Sequence, residues 1–335
     1  MNNLSPYKGL TKGLFDFNIS GFERRALDIF HFQYHQNPVY RQFVDALAIN
    51  ETDVHHLSSI PFLPIQFFKT HTVQTTTFKE TAIFESSGTT QTNTSKHYIN
   101  DLSIYTKSFT KAFELFYGNP GDWCILGLLP SYLERNNSSL VVMVNDLIKQ
   151  SQHPQSGFYL HNQQQLSQTL QSLEARQQKT LLIGVTFALL DFAEQYSMPL
   201  QHTTIMETGG MKGRRAELTR QEVHAQLNNA FHTKNIHSEY GMTELLSQAY
   251  SKGNGIFECP PWMKIMIRDE EDPLHIYPSV KKPTTGAINV IDLANIFSCS
   301  FIATEDAGIL HANGGFEILG RIDNSDIRGC SLMTV

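Results

Sequence analysis

The hydroxyl-rich segment 84–97 carries the residues best suited to chemistry in this chain. Its core is Ser86-Ser87-Gly88-Thr89-Thr90, and Lys96 follows after a short polar linker. The hydroxyls and exposed N–H groups can donate hydrogen bonds, Gly88 lets the backbone approach an anion closely, and Lys96 adds a positive charge. This pattern predicts a loop that holds a polyphosphate, although the spacing of the P-loop motif does not occur. Taken alone, the same residues also fit an ordinary solvated loop.

A second candidate is the glycine-rich segment Glu207-Thr208-Gly209-Gly210-Met211-Lys212-Gly213, which follows an apolar run. Its three glycines would let a planar ring lie against the backbone of the turn formed by Gly209, Gly210 and Met211. A tight turn between a strand and a helix would favour glycine equally, so both interpretations stay open.

A third candidate combines an aromatic ring, a glycine, a hydroxyl and a carboxylate in Tyr240-Gly241-Met242-Thr243-Glu244. Tyr240 could stack on a base and Thr243 could bind a phosphate. Glu244 could hold Mg²⁺, a hard ion that favours carboxylates and phosphates. The alternative is an ordinary helix start in which Thr243 or Ser238 serves as the cap.

Two charged turns are predicted near the end of the chain. Asp306, in the segment 304–308, could accept hydrogen bonds from two ribose hydroxyls. Arg321, in the segment 320–330, could meet phosphate or ribose oxygens. Plain surface turns would often carry the same residues.

The elements that must position these clusters can be predicted from the apolar pattern. Pro38 is expected to divide the first helical segment in two, and leucines at 166, 170 and 173 predict an amphipathic helix in the Gln-rich stretch 150–178. The alternation of predicted strands and helices indicates α/β layers with a mostly parallel sheet, and a β-rich part follows from about residue 255. The predicted strands are 82–84, 124–129, 181–185 and 203–206, and the predicted helices are 21–48, 101–117, 140–148 and 214–230.

Composition narrows the classes of function. The chain has 335 residues and a formal charge of −6, without a long basic run, which argues against nucleic acid as a partner. The longest apolar stretch, 181–193, is too short to span a bilayer, and the first residues show no signal-peptide pattern. The four cysteines are far apart and form no CxxC motif, which fits a reducing cytoplasm.

The order of these motifs indicates more than any one of them. Ser-Gly-Thr-Thr…Lys, Gly-Gly, Tyr-Gly-Met-Thr-Glu, Thr-x-Asp and Gly-Arg-x-Asp together resemble the motif series of adenylate-forming enzymes, which include acyl-CoA ligases and firefly-type luciferases. Nearly the whole chain is similar to the bacterial luminescence acyl-protein synthetases, which are fatty acid–protein ligases. The similarity includes residues 60–64 with Phe68-Lys69, residues 129–133, and the ending 318–330.

The resemblance implies a fold and a division of the chain. Residues 1–319 would form the large N-terminal domain of the adenylate-forming fold, and residues 320–335 a hinge-like segment with a short tail that carries Cys330. The C-terminal domain that usually bears a catalytic lysine is expected to be absent, since no lysine follows Lys282. The hydroxyl-rich loop departs from the family pattern, because Gln91 replaces a glycine and the linker to Lys96 is longer.

The resemblance also implies a mechanism in which ATP activates a fatty or other carboxylic acid and Cys330 then captures the acyl group. An acyl-reductase or acyl-transferase protein could receive it afterwards. A stand-alone acyl- or aryl-CoA ligase and a catalytically inactive nucleotide-binding subunit stay open as alternatives. The implied ligands of the polyphosphate are Ser86, Ser87, Gly88, Thr89, Thr90, Thr243 and Lys96. Adenine would be bound by Tyr240, Gly241 and the 209–211 turn, and ribose by Asp306 and Arg321. Glu244 is the implied ligand of Mg²⁺.

Overall fold

The computed structural model of the chain describes residues 9–16, 21–86, 94–130, 134–209 and 218–322. Helices and strands alternate in the first two thirds, and strands predominate afterwards, as the sequence predicted. The helices are α1 (Phe22–Gln36), α2 (Pro38–Ala46), α3 (Phe67–Thr70), α4 (Leu102–Tyr117), α5 (Ser139–Ser151), α6 (Gln163–Ala175), α7 (Thr186–Gln195) and α8 (Arg220–Phe231). The strands are β1 (Leu63–Pro64), β2 (Ala82–Glu85), β3 (Lys96–Ile99), β4 (Cys124–Leu128), β5 (Gly157–Phe158), β6 (Thr180–Gly184), β7 (Thr203–Glu207), β8 (His237–Tyr240), β9 (Ala249–Ser251), β10 (Met263–Arg268), β11 (Thr284–Asp292), β12 (Phe301–Leu310) and β13 (Phe316–Arg321).

One sheet, which we call the parallel sheet, has the order β5-β4-β6-β7-β8-β9. All neighbouring strands run parallel except β8 and β9. Strands β4 and β6 are buried along their whole length, as is typical of the central strands of a parallel sheet with helices on its faces. The prediction of a mostly parallel sheet is confirmed for this part of the chain.

A second sheet, the mixed sheet, contains β1, β12, β11, β10 and β13. The last four strands pair antiparallel, whereas the short β1 runs parallel to the start of β12. A hairpin turn connects β12 to β13, and Gly314 in this turn has a φ of +88° that favours glycine. Strands β2 and β3 form a separate hairpin. Because β13 ends at Arg321, the predicted boundary after residue 319 falls inside a strand.

The helices confirm the predicted break at Pro38. α1 ends at Gln36, and the side chain of Asn37 caps α2 by accepting a hydrogen bond from the Tyr40 N–H at 3.0 Å. Helix α7 was not predicted, since its residues continue the apolar run of β6 and a short run of this kind does not distinguish helix from strand. In the Gln-rich stretch 150–178, the predicted amphipathic helix is α6 at 163–175, and residues 150 and 151 end α5. No helix in the described ranges is long and apolar enough to cross a membrane.

Buried polar side chains join helix α1 to the loop between β11 and β12. The Gln33 amide donates to the carbonyls of Asn295 and Ile296 at 2.9 and 3.0 Å, and its oxygen accepts from the Ser300 N–H at 2.9 Å. An aromatic cluster of Phe30, Tyr40 and Phe301 packs beside these bonds. The N-terminal helices are therefore fixed against the mixed sheet.

The side chain of Asp292 joins the two sheets. It lies at the end of β11 in the mixed sheet and is fully buried. Its oxygens accept hydrogen bonds from the N–H groups of Leu246 and Ser247 at 2.7 and 2.9 Å, from the Ser247 hydroxyl at 2.6 Å, and from the Ala294 N–H at 3.0 Å. Leu246 and Ser247 belong to the segment between β8 and β9 of the parallel sheet, so this carboxylate sets the distance between the sheets.

We predict that Asp292→Asn lowers the free energy of unfolding by about 2–3 kcal/mol, because an amide NH₂ would face N–H donors and leave buried groups unpaired. Urea denaturation monitored by circular dichroism measures the change. Asp28→Asn, at an exposed position of α1, is the matched control and should change stability by less than about 0.5 kcal/mol. Equal stability of the two variants would show that Asp292 does not hold the sheets together.

Candidate active site

The carboxyl ends of neighbouring parallel strands place two of the predicted motifs side by side. β7 ends at Glu207, just before Gly209, and its neighbour β8 ends at Tyr240, just before Gly241. This edge of an α/β sheet is where ligands usually bind. Gly209, at the start of the glycine-rich segment, and the Tyr240–Glu244 segment therefore share one edge.

Tyr240 and Asp306, which are 66 residues apart, are in direct contact. The Tyr240 hydroxyl donates a 2.8 Å hydrogen bond to Asp306 Oδ2. The Tyr240 ring is only 8% exposed, because it packs edge-on against Phe257 and Phe316 with centroid distances of 6.0 and 5.5 Å. Burial raises the pKa of the Asp306 carboxyl, whereas the bond from Tyr240 lowers it.

The prediction that Asp306 lies on a turn is wrong, since Asp306 is inside β12. The pairing of β12 with β13 shifts register between Ala307 and Gly308, which marks a β-bulge. Gly308 is needed for close packing of strands, because a Cβ there would collide with the Glu317 carbonyl oxygen and Ile288. The glycine therefore indicated a bulge and a close backbone approach rather than a turn.

Arg321 lies opposite Asp306 in the ladder between β12 and β13. Its guanidinium is exposed at the end of β13, and its charge helps to lower the pKa of the Asp306 carboxyl against the effect of burial. The Ile322 N–H donates to the Glu305 carbonyl at 2.7 Å and extends this pairing beyond the strand. Three predicted site residues, Tyr240, Asp306 and Arg321, are thus brought together by the fold.

Glu244 lies between the two sheets and is 5% exposed. Burial raises the pKa of its carboxyl, while a hydrogen bond from the Ser95 side chain and the charges of Lys69 and Arg321 lower it. The Asn295 amide donates to the Glu244 carbonyl at 2.7 Å. The backbone that carries Glu244 is therefore fixed by the same loop that binds Gln33.

Thr243 is held from the side of the β2–β3 hairpin. His97 Nδ1 donates to the Thr243 carbonyl at 2.9 Å, which makes Nδ1 the protonated nitrogen of a neutral imidazole. Burial lowers the pKa of His97 to about 4, so the ring stays neutral near pH 7. This contact connects the segment after Tyr240 to the strand that begins with Lys96.

The described part of the hydroxyl-rich loop is its base. The N–H of Ser86 donates to the Ser95 carbonyl at 3.1 Å, and the N–H of Ser95 donates to the Ser86 hydroxyl at 2.9 Å. Lys96 is the first residue of β3, where its Nζ lies 3.7 Å from Glu85 Oε1. Outside the described residues lie the predicted site residues Ser87, Gly88, Thr89, Thr90, Gly210, Met211 and Cys330, whose roles stay predictions.

An ion-pair cluster that the sequence analysis missed supports the glycine-rich turn. Glu207 is 4% exposed, and its Oε2 accepts hydrogen bonds from the Gly209 N–H at 2.7 Å and the Thr186 hydroxyl at 3.1 Å. Although burial raises its pKa, hydrogen bonds and the charge of Arg220 lower it to about 2, so Glu207 is ionised. Arg220 also donates to the Ile318 carbonyl at 3.1 Å and so connects the turn to β13. The sequence signal for this cluster was Glu207, a charged residue at the end of an apolar strand.

Glu239, beside Tyr240, is a second acid that the sequence analysis did not select. Burial, and then the charge of Glu207, raises its pKa to about 8. Its carboxyl occupies the space next to Gly241, where a Cβ would collide with Glu239 Oε1. Because this pKa lies above neutral pH, Glu239 is largely protonated there.

The described residues contain no group of three or more His, Cys, Asp or Glu side chains that could hold a metal ion. A single carboxylate such as Glu244 is nevertheless compatible with Mg²⁺, which commonly takes one or two protein carboxylates and completes its shell with phosphate oxygens and water. The donor at this position is of the right chemistry, since it is a hard oxygen ligand.

Comparison with solved structures identifies the fold. The chain is similar to ATP-bound MatB from Rhodopseudomonas palustris, with a TM-score of 0.52 and 17% identity over 72% of this chain and 48% of that one. It is also similar to the long-chain-fatty-acid–CoA ligase FadD1 from Archaeoglobus fulgidus, with a TM-score of 0.51 and 14% identity over 72% of this chain and 51% of that one. The chain thus spans about half the length of these structures. The expected similarity of fold to part of a larger ligase is confirmed.

Comparison of sequences identifies the family. No curated protein matches the chain. A family model described as acyl-protein synthetase, LuxE, matches residues 18–334. Because this match covers nearly the whole sequence, the chain belongs to the LuxE family of acyl-protein synthetases.

Proposed function

We propose that this chain uses ATP to activate a carboxylic acid, in particular a fatty acid, as an acyl-adenylate and then transfers the acyl group to a protein cysteine. The observation that carries this proposal is the contact of Tyr240 with Asp306, with Arg321 alongside, next to the buried carboxyl of Glu244. Membership of the LuxE family supports the same reaction.

In the first step, an oxygen of the acid's carboxylate attacks the α-phosphorus of ATP. A new C–O–P linkage forms while the bond from the α-phosphorus to the bridging oxygen breaks, and pyrophosphate leaves. Negative charge accumulates around the phosphorus, so cations and N–H donors must already be in place. We assign the pyrophosphate to the hydroxyl-rich loop 86–90 with Lys96, and the α-phosphate to Thr243 and Arg321.

The adenosine part of ATP would bind where the two sheets meet. Asp306 would accept hydrogen bonds from the ribose hydroxyls, which are the same kind of donor as the Tyr240 hydroxyl that it binds here. Adenine would lie between Tyr240 and the turn that contains Gly209, Gly210 and Met211. The ionised Glu207 supports this assignment, because its bond to the Gly209 N–H fixes the start of the turn.

Magnesium would enter with ATP and bind at Glu244. When bound, Mg²⁺ would polarise phosphate oxygens and neutralise their charge. The carboxyl of Glu244 fits this role, because the burial that raises its pKa also deprives a charged carboxylate of water, and a nearby cation would favour the ionised form.

In the second step, a thiolate attacks the carbonyl carbon of the acyl-adenylate, a thioester forms and AMP leaves. The described cysteines are poorly suited to this role: burial raises the pKa of the Cys124 thiol to about 11 and that of Cys299 to about 12. Burial also raises the pKa of Cys259. Family resemblance and these unreactive alternatives favour Cys330 as the nucleophile.

The thioester would then be passed to a second protein, such as an acyl-reductase or an acyl-transferase. A thiol nucleophile must stay reduced, which is consistent with work in the cytoplasm. The free state of the three described cysteines is compatible with such a compartment.

The proposal predicts that the purified chain exchanges labelled pyrophosphate into ATP only when Mg²⁺ and a suitable acid are present. A panel of fatty acids and short acids, with and without CoA, identifies the substrate and the acceptor. Glu244→Gln should lower the exchange rate about 100-fold and raise the Mg²⁺ concentration for half-maximal rate, because one anionic ligand is lost.

Glu114→Gln is the control for Glu244→Gln, since Glu114 is on the surface of α4 and forms an ion pair with Lys111. It should behave as the unmodified chain. Absence of acid-dependent exchange in the unmodified chain would contradict the proposed function. A Glu244→Gln variant with unchanged Mg²⁺ dependence would contradict only the role of Glu244.

Cys330→Ser should retain pyrophosphate exchange and lose covalent acylation of the protein, since a serine hydroxyl is a far weaker nucleophile than a thiolate. Labelled fatty acid, gel electrophoresis and hydroxylamine treatment detect the thioester, and mass spectrometry locates it. Cys259→Ser is the control and should still be acylated. A hydroxylamine-labile label on Cys330→Ser would place the acceptor elsewhere.

Asp306→Asn should abolish the enzyme's preference for ATP over 2′- and 3′-deoxy-ATP, because the carboxylate that accepts from the ribose would be lost. Hydrogen bonds to a charged group contribute about 1.5–3 kcal/mol, so the unmodified chain should favour ATP by about 10- to 100-fold. Tyr240→Phe keeps the ring and the Asp306 carboxylate and should retain this preference. The ratios of kcat/KM for the three nucleotides measure it, and an unaltered preference in Asp306→Asn would exclude ribose binding there.

A further inference from the structure

Helix α3 carries a lysine, Lys69, to which the sequence analysis gave no role. The strand before it, β1, pairs in parallel with the start of β12. The Ile65 N–H then donates to the Ala303 carbonyl at 3.0 Å, and the Gln66 side chain donates to Glu305 Oε1 at 2.6 Å. The chain therefore enters α3 beside the residue that precedes Asp306.

The other side of α3 is fixed by Phe68. This ring is buried and packs edge-on against His97 at a centroid distance of 5.7 Å. His97 in turn binds the Thr243 carbonyl, one residue before Glu244. Because α3 is attached to β12 on one side and to the Thr243–Glu244 backbone on the other, its position relative to the site is fixed.

Lys69 follows Phe68 on this helix and is exposed to solvent. Within the described ranges it has no carboxylate within ion-pair distance, whereas the Nζ of Lys96 already lies 3.7 Å from Glu85. Its helix lies between Glu305, the neighbour of Asp306, and His97, which binds the Thr243 carbonyl. A cation on this helix, without an ion-pair partner among the described residues, has a direct use in a site that would take a polyphosphate and a carboxylate.

We propose that Lys69 is a catalytic residue of the acid-activation step, and that its ammonium group binds a non-bridging oxygen of the transferring α-phosphoryl group. This inference rests on the proposed function. Lys69 stays protonated throughout: the carboxylate oxygen forms the new bond to phosphorus, pyrophosphate takes the electron pair of the broken P–O bond, and no proton moves. The ammonium would offset the negative charge that increases as the two anions meet.

The test compares Lys69→Met and Lys69→Arg with Lys107→Met, a control at an exposed lysine of α4. Lys69→Met should lower kcat for acid-dependent pyrophosphate exchange about 100-fold, as expected for loss of one charged contact to the transition state. The Kd for ATP, measured by calorimetry, should change less than about threefold, since the contact strengthens only in the transition state. Lys69→Arg keeps the charge and should recover about a tenth of the rate.

A second measurement separates the two steps. Synthetic acyl-adenylate supplied to Lys69→Met should acylate the protein at the rate of the unmodified chain, because the α-phosphoryl transfer has already occurred. Full exchange activity in Lys69→Met, or an equal loss in both steps, would overturn the role of Lys69 while leaving the proposed function in place. Absence of exchange in the unmodified chain would overturn both.

Discussion

Two backbone N–H groups from a loop of the parallel sheet, those of Leu246 and Ser247, end on a carboxylate of the mixed sheet, Asp292. The site lies at the junction of these sheets, and neither sheet contains all of it. Glu244 comes from one sheet and Asp306 from the other, so their separation depends on contacts across the junction. A buried carboxylate with four donors is a strong connector for this purpose, because any shift of one sheet would leave buried groups unpaired.

The site combines several acidic side chains with a few nearby cations. Burial raises the pKa of Glu244, Glu239 and Asp306, whereas Glu207 is ionised through its bonds to neighbouring donors. An acidic cluster of this kind would repel a polyphosphate unless cations compensate. Arg321 lies in the same cluster, and the charge of Lys69 reaches it. A divalent ion carried by the nucleotide would complete the balance, and for this reason we assign it to the most buried acid that faces these cations.

The sequence predicted the elements whose apolar pattern is unambiguous, such as the buried strands β4 and β6 and the break before Pro38. It also predicted that Tyr240 and Asp306 belong to one site, which the fold brings into contact. It misplaced Asp306 because Gly308 serves a bulge between strands, and local patterns do not distinguish a bulge from a turn. The ion pair of Glu207 with Arg220 was missed for another reason: whether the two side chains meet depends on packing between elements, which local sequence does not show.

In the proposed function, the bond between Tyr240 and Asp306 would connect adenine binding to ribose binding. The partly buried carboxyl of Asp306 accepts a hydrogen bond from the Tyr240 hydroxyl, so this acid has a partner in the fold. When a ribose hydroxyl replaces the phenol, one hydrogen bond is exchanged for another and little desolvation cost remains. The Tyr240 hydroxyl would then lose its partner, while its ring stays packed edge-on against Phe257 and Phe316. Ribose binding at Asp306 would therefore change the surroundings of the ring that we assign to adenine.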